Sequence, residues 1–116
     1  MDTKLRKLVD YKYSFSKDNK VTICEATYFH TDPNYPDYES YIYTKGITIC
    51  DNNDILNTEI GKKVARAKCD LQAYQEYKRR LKSAIVDQID KLHDLESELY
   101  KIKSCIAHQK AYLNQF

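Results

Sequence analysis

Four cations fall within one short stretch of this chain: Lys62, Lys63, Arg66 and Lys68. They open a long segment of helical periodicity, and a helix N-terminus presents unpaired N–H groups and a positive dipole end to anions. An arginine grips a phosphate through two parallel N–H bonds, and Lys63 precedes Arg66 by one turn on nearly the same face. Nearby strand ends supply Tyr28, Phe29, Tyr41 and Tyr43, rings on which a base can stack while cations hold phosphates. Asp51 and Asn52 are suited to ribose hydroxyls or an amino edge, and His30, beside a proline-containing loop, to contact with the same ligand. The predicted chemistry is recognition of a small phosphorylated, ring-bearing molecule. Glu59 works mildly against an anion set directly on the helix start. The competing expectation is a basic solvent face beside the tyrosines of a small core.

Covalent chemistry is not expected. The chain has no nucleophile elbow, HExxH or P-loop. His93 and His108 fall on exposed helix positions, and the carboxylate pairs Asp51/Asp54 and Asp87/Asp90 fall on a turn and a helix face. No convergent acid, base and nucleophile emerge, so we expect no catalytic residues and no enzyme activity. The cysteines, Cys24, Cys50, Cys69 and Cys105, form no CxxC pair, which points to free thiols without a metal site, and no cofactor is expected.

These residues are positioned by a short β-rich part, residues 1–56, and a helical part, residues 57–114, expected to form one domain over 1–116. Leu5–Ser16 alternates, with Val9, Tyr11, Tyr13 and Phe15 on one strand face and Asp10, Lys12 and Ser14 on the other. Ser16–Lys20 reads as a turn. In Val21–His30, Thr22, Cys24, Ala26 and Tyr28 share one side, while Val21, Ile23 and Phe29 share the other, the two strands forming an antiparallel hairpin. Thr31–Glu39 holds both prolines of the chain and reads as a loop, a candidate lid. Ser40–Cys50 is the third strand. Asp51–Asp54 is a turn cluster, and Asn57 is a plausible N-cap.

From Asn57 to Leu113 there is one glycine and no proline. Apolar residues recur at helical spacing: Ile60, Val64, Ala67, Leu71, Tyr74, Leu81, Ile85, Leu92, Leu95, Leu99, Ile102, Ile106 and Leu113, a seam broken by Lys78, Gln88 and Gln109. A helix of roughly 55 residues is about 80 Å long, more stripe than one small domain can cover. The fold class is therefore α+β: a small antiparallel sheet of about three strands, then a long C-terminal helix or helical hairpin forming a dimer interface. One continuous helix is favoured over a hairpin, since no strong breaker intervenes. Ile60, Val64, Ala67 and Leu71 are the natural residues to cover the sheet, with Gly61, Ala65 and Ala67 letting the helix lie close.

The 116 residues carry 19 Lys and Arg against 17 Asp and Glu, a formal net charge of +2. So even a balance argues against DNA or RNA as a partner. The charged start, Met1–Asp10, has no apolar core of a secretory signal, and no apolar run approaches a membrane span. The polar helix face mixes acids with bases, unlike a membrane-surface helix.

The stretch Lys45–Asp70, KGITICDNNDILNTEIGKKVARAKCD, resembles the phage Thoeris anti-defence proteins, which act as sponges for cyclic ADP-ribose signals. In both, a glycine-containing strand ends at a cysteine, an acidic turn follows, and a helix opens as IGKKVARAK here. Asp54, Gly61, Ala65 and Arg66 carry the likeness. The resemblance implies a protein in the host cytoplasm that binds a cyclic ADP-ribose isomer or related cyclic nucleotide without cleaving it, so that host Thoeris immunity is not activated. It also implies pockets between protomers of a homo-oligomer, at least a dimer. The rival readings are a small phage protein that inhibits a host defence factor through its coiled coil and tyrosine-rich surface, a DNA-binding dimer using Lys78–Arg80, and a signal-degrading enzyme.

Overall fold

A computed structural model describes residues 3–50 and 58–116. The elements run β1 (Arg6–Phe15), β2 (Val21–Thr31), β3 (Glu39–Ile49) and α1 (Thr58–Leu113). The strands form one antiparallel sheet in the order β1-β2-β3. The helix is continuous over 56 residues, so the hairpin alternative does not occur. The chain divides into two compact units, Met1–Leu81 and Lys82–Phe116, the boundary falling within α1. The expected N-cap Asn57, the turn Asp51–Asp54 and with it the resemblance position Asp54 lie outside the described residues.

Strand alternation sorts β2 cleanly. Thr22, Cys24, Ala26, Tyr28 and His30 are buried, as are Ile42 and Thr44 of β3, and this face receives the helix. Val21, Ile23, Phe29, Tyr41 and Tyr43 belong to the other face. There Lys12, Glu25 and Lys45 lie in register across the three strands, a ladder of alternating charge. The β1–β2 hairpin turns through Asn19, whose φ of 58° is a left-handed conformation that asparagine tolerates. β1 does not alternate simply. Its pairing with β2 shifts register between Val9 and Lys12, so Val9 is opposite Thr27 while Tyr13 is opposite Cys24. An irregularity of this kind re-aims side chains. It separates Val9 from Tyr11, Tyr13 and Phe15, against the single face expected for all four.

The helix face that meets the sheet also differs from expectation. Ile60, Val64 and Leu71 are 58%, 39% and 54% exposed, and Ala67 is exposed too. The buried stripe is Ala65, Cys69 and Ala73, continued by half-buried Gly61. Small side chains four apart let the helix lie directly on the sheet. A Cβ on Gly46 of β3 would come within 2.1 Å of the Ala65 carbonyl oxygen, and one on Gly61 within 2.7 Å of Thr22 Oγ1. Both glycines of the chain therefore sit where helix and sheet approach too closely for a methyl group. Ile60, Val64, Ala67 and Leu71, at positions one residue before or two after this stripe, are left facing away from the sheet.

The helix also closes the outer edge of β3. Gln72 Nε2 donates to the Lys45 carbonyl at 2.8 Å, and the Lys45 N–H donates to Gln72 Oε1 at 3.2 Å. Lys68 Nζ reaches the Ile47 carbonyl at 2.6 Å, and Arg80 Nη2 the Tyr41 carbonyl at 3.1 Å. No described helix is long and apolar enough to cross a membrane.

Candidate ligand-binding site

The first turns of α1 run beside β1. Lys62 and Arg66, one turn apart, are both half-buried. Lys62 Nζ lies 5.4 Å from the Tyr13 ring centre and 5.7 Å from that of Phe15. The Arg66 guanidinium carbon is 5.6 Å from the Tyr11 ring centre, and Lys7 Nζ is 3.5 Å from the same ring. Three cations and three rings thus alternate along one seam between β1 and the helix. The ring faces carry the negative part of the aromatic quadrupole and attract the cations weakly.

Asp70 closes the seam. Its carboxylate accepts the Tyr11 hydroxyl at 2.8 and 2.9 Å, and it also accepts the Tyr28 hydroxyl. Burial, followed by the hydrogen bond to Asp70, raises the pKa of both phenols well above the ordinary 10.0. Both remain protonated donors at neutral pH. Beside them a cavity of about 260 Å³ is bounded by Arg6, Lys7, Tyr11, Tyr28, Asp70 and Tyr74, with Thr3 and Leu5. A larger hollow of about 490 Å³ lies by Tyr43 and Lys45, but Asp10 and Glu25 balance Lys12 and Lys45 in its lining. Such a lining does not select an anion.

The cations of the seam are only loosely engaged. Lys7 Nζ is 3.5 Å from Asp10, and Lys62 Nζ is 3.6 Å from Glu59. Pairs as exposed as these are weak in water. The Asp10 carboxyl is held below its ordinary range first by the Tyr11 N–H and then by Lys7.

The other expected contacts separate. Lys63 is exposed, one position round the helix from the seam. Tyr28 is buried under the helix and reaches the site only through its hydroxyl on Asp70. His30 is fully buried: its Nδ1 donates to the Thr31 carbonyl at 2.9 Å, and its Nε2 accepts from Arg80 Nη1 at 3.0 Å. Its ring packs 4.7 Å from that of Tyr77. This histidine is a structural link between β2 and the helix. Phe29, Tyr41 and Tyr43 lie on the opposite sheet face, and the Tyr41 hydroxyl donates to Glu39. Strand alternation makes the separation unavoidable: Tyr28 and Phe29 cannot share a face. Asp51 and Asn52 lie outside the described residues.

The proline loop does not overlie the seam. It joins the ends of β2 and β3 near His30 and Tyr41, where Arg80 packs. Arg66 lies some fourteen residues earlier on the same helix, about 20 Å away. The loop is tied to itself: Asp32 Oδ1 accepts from the Asn34 and Tyr35 N–H groups, and the Asp32 N–H donates to the Tyr38 carbonyl at 2.8 Å.

Lys7, Tyr11, Tyr13, Phe15 and Asp70 belong to this cation–aromatic cluster but not to the set that the sequence suggests. The alternation of aromatics on β1 was the available signal. The register shift that turns three of them toward the helix has no signature in residue type.

Elsewhere, Cys24 and Cys69 are buried together between sheet and helix, and Cys69 Sγ donates to the Cys24 carbonyl. Burial, with the neighbouring Cys69, pushes the Cys24 thiol up to about 12, which makes it a poor nucleophile. Among the described residues no group of His, Cys, Asp or Glu is arranged to hold a metal ion. Comparison of the chain with protein-family models, with curated proteins and with solved structures yields no match.

Proposed function

We propose that this protein binds and sequesters a cyclic ADP-ribose-type signalling nucleotide without cleaving it, and so blocks activation of host Thoeris immunity in the host cytoplasm. The observation that carries this reading is the seam in which Lys7, Lys62 and Arg66 alternate with Tyr11, Tyr13 and Phe15. Cations suit a pyrophosphate, and the exposed ring of Phe15 beside half-buried Tyr11 and Tyr13 suits a base. The resemblance of Lys45–Asp70 to the Thoeris anti-defence family supplies the class of nucleotide. Arg66 is common to both lines of support.

The protein acts as a homo-oligomer, at least a dimer. The cavity of about 260 Å³ takes in only Lys7 and Tyr11 of the seam and is smaller than the roughly 300–1,000 Å³ usual for ligand sites, so we assign the rest of the enclosure to a second protomer. Slow release follows from enclosure, and a sponge must hold its ligand against a receptor.

The test is incubation of the purified protein with a panel of cyclic ADP-ribose isomers and cyclic dinucleotides, the free nucleotide being followed by mass spectrometry before and after heat unfolding. Depletion followed by recovery of the intact nucleotide is expected. A new product would mean an enzyme. Absence of depletion would overturn the nucleotide reading and leave inhibition of a host defence protein as its replacement.

A further inference from the structure

In the second unit, Lys82–Phe116, Ile85, Leu92, Leu99 and Ile106 repeat every seven residues, with Leu95 and Ile102 at the second apolar position. All six are roughly half exposed or more. The same repeat, counted back without a skip, reaches Leu81, Tyr74, Leu71, Val64 and Ile60. In the first unit Ile60, Val64, Leu71 and Leu81 lie off the stripe Gly61, Ala65, Cys69 and Ala73 that meets the sheet, and Tyr74, though 56% exposed, also borders the cavity beside Tyr28. The helix thus presents two opposed faces, and the large-residue face is the uncovered one.

We propose that a second copy of this chain covers that face, running parallel to the first and in register with it. The proposal rests on the homo-oligomer reading above and adds its orientation and register. Two observations favour a parallel copy. The first is the placement of the two amide interruptions; against it stands Lys78, at the other repeat position, which in a parallel pair faces its own like charge. Gln88 and Gln109 occupy the same repeat position as Leu95 and Ile102. In a parallel in-register pair each faces its own counterpart, and two amides can donate to and accept from each other. In an antiparallel pair this position faces the other apolar position, so each amide is set against an aliphatic side chain.

The second observation is charge. In a parallel pair a flanking residue meets the partner residue five positions further along. Lys91 then meets Glu96 of the other copy, and Glu98 meets Lys103, each contact formed twice by symmetry. In the antiparallel pairing centred on the same stretch, Glu96 and Glu98 each meet their own counterpart, acid against acid.

The experiment uses the full chain carrying Gln109→Cys in a Cys105→Ser background, equilibrated in a glutathione redox buffer. The parallel register brings the two introduced thiols together, and a disulfide-linked dimer is expected on a non-reducing gel. Sedimentation of the unmodified chain separates the two readings. A dimer whose variant does not cross-link overturns the parallel register and leaves the homo-oligomer reading standing. A monomer overturns both.

A second pair of variants avoids dependence on cysteine chemistry. Glu98→Lys is expected to weaken the dimer by about tenfold, and adding Lys103→Glu to restore it. Residues five apart lie on different faces of one helix, so such a rescue must pass between chains. Failure of the second substitution to rescue contradicts the assigned register.

Discussion

Arg66 has its guanidinium 5.6 Å from the Tyr11 ring, within the cation–aromatic seam. Its neighbours Ala65 and Cys69 carry the packing, so its removal leaves the sheet–helix contact in place. Arg66→Ala is therefore expected to abolish nucleotide depletion while leaving the oligomeric state and unfolding temperature close to those of the wild type. Affinity unchanged from wild type would sink the site assignment. Lys62 and Arg66 were legible in the sequence as clustered cations at a helix start. The rings beside them were not: sequence neighbourhood points to β2 and β3, whereas the rings that flank Lys62 and Arg66 belong to β1. Their neighbourhood suggests Tyr28 and His30 as ligand contacts, but even-numbered positions of β2 point under the helix.

At the scale of elements, the three strands and the single long helix were legible, because period-two and three–four patterns are strong over such lengths. Which face of the helix meets the sheet was not. Hydrophobicity assigns the largest apolar residues to the core, whereas close approach selects the smallest. Gly46 tests this account. A Cβ there would overlap the Ala65 backbone oxygen, an atom that no side-chain rotation can move aside. Gly46→Ala is expected to destabilise the protein by about 2–3 kcal/mol or more, read as a lower urea midpoint. A midpoint within error of the wild type would mean that the helix rests on the sheet less closely than described.

For the whole molecule, ionisation limits stability at both ends of the pH scale. Glu76 bonds Arg79 at 2.6 and 3.0 Å and Arg80 at 3.1 Å, and these partners hold its carboxyl down to about 2 from an ordinary 4.5. A carboxyl whose pKa is depressed by folding contributes stability above its unfolded pKa and loses it as pH falls through the folded one. Glu76→Gln is thus expected to unfold at lower urea than wild type at neutral pH, with the gap closing between about pH 4.5 and pH 2. A gap independent of pH would remove Glu76 from this role. Tyr11 and Tyr28 set the opposite limit. Folding raises both phenols, so their contribution is intact below the unfolded value of 10.0 and is lost as pH rises beyond it.

The side chains of Lys68, Gln72 and Arg80 along the outer margin of β3 bear on how the protein behaves in a crowd. An unpaired strand margin is a template on which other chains add, one after another, into fibrils. Here Gln72 occupies both the N–H and the carbonyl of Lys45, as a neighbouring strand would. The margin of β1 is guarded differently, by its register shift and by Arg6, Lys7 and Lys12. Both ends of the three-stranded sheet are thus poor templates for a further strand, and the helix that covers the core also occupies the β3 margin.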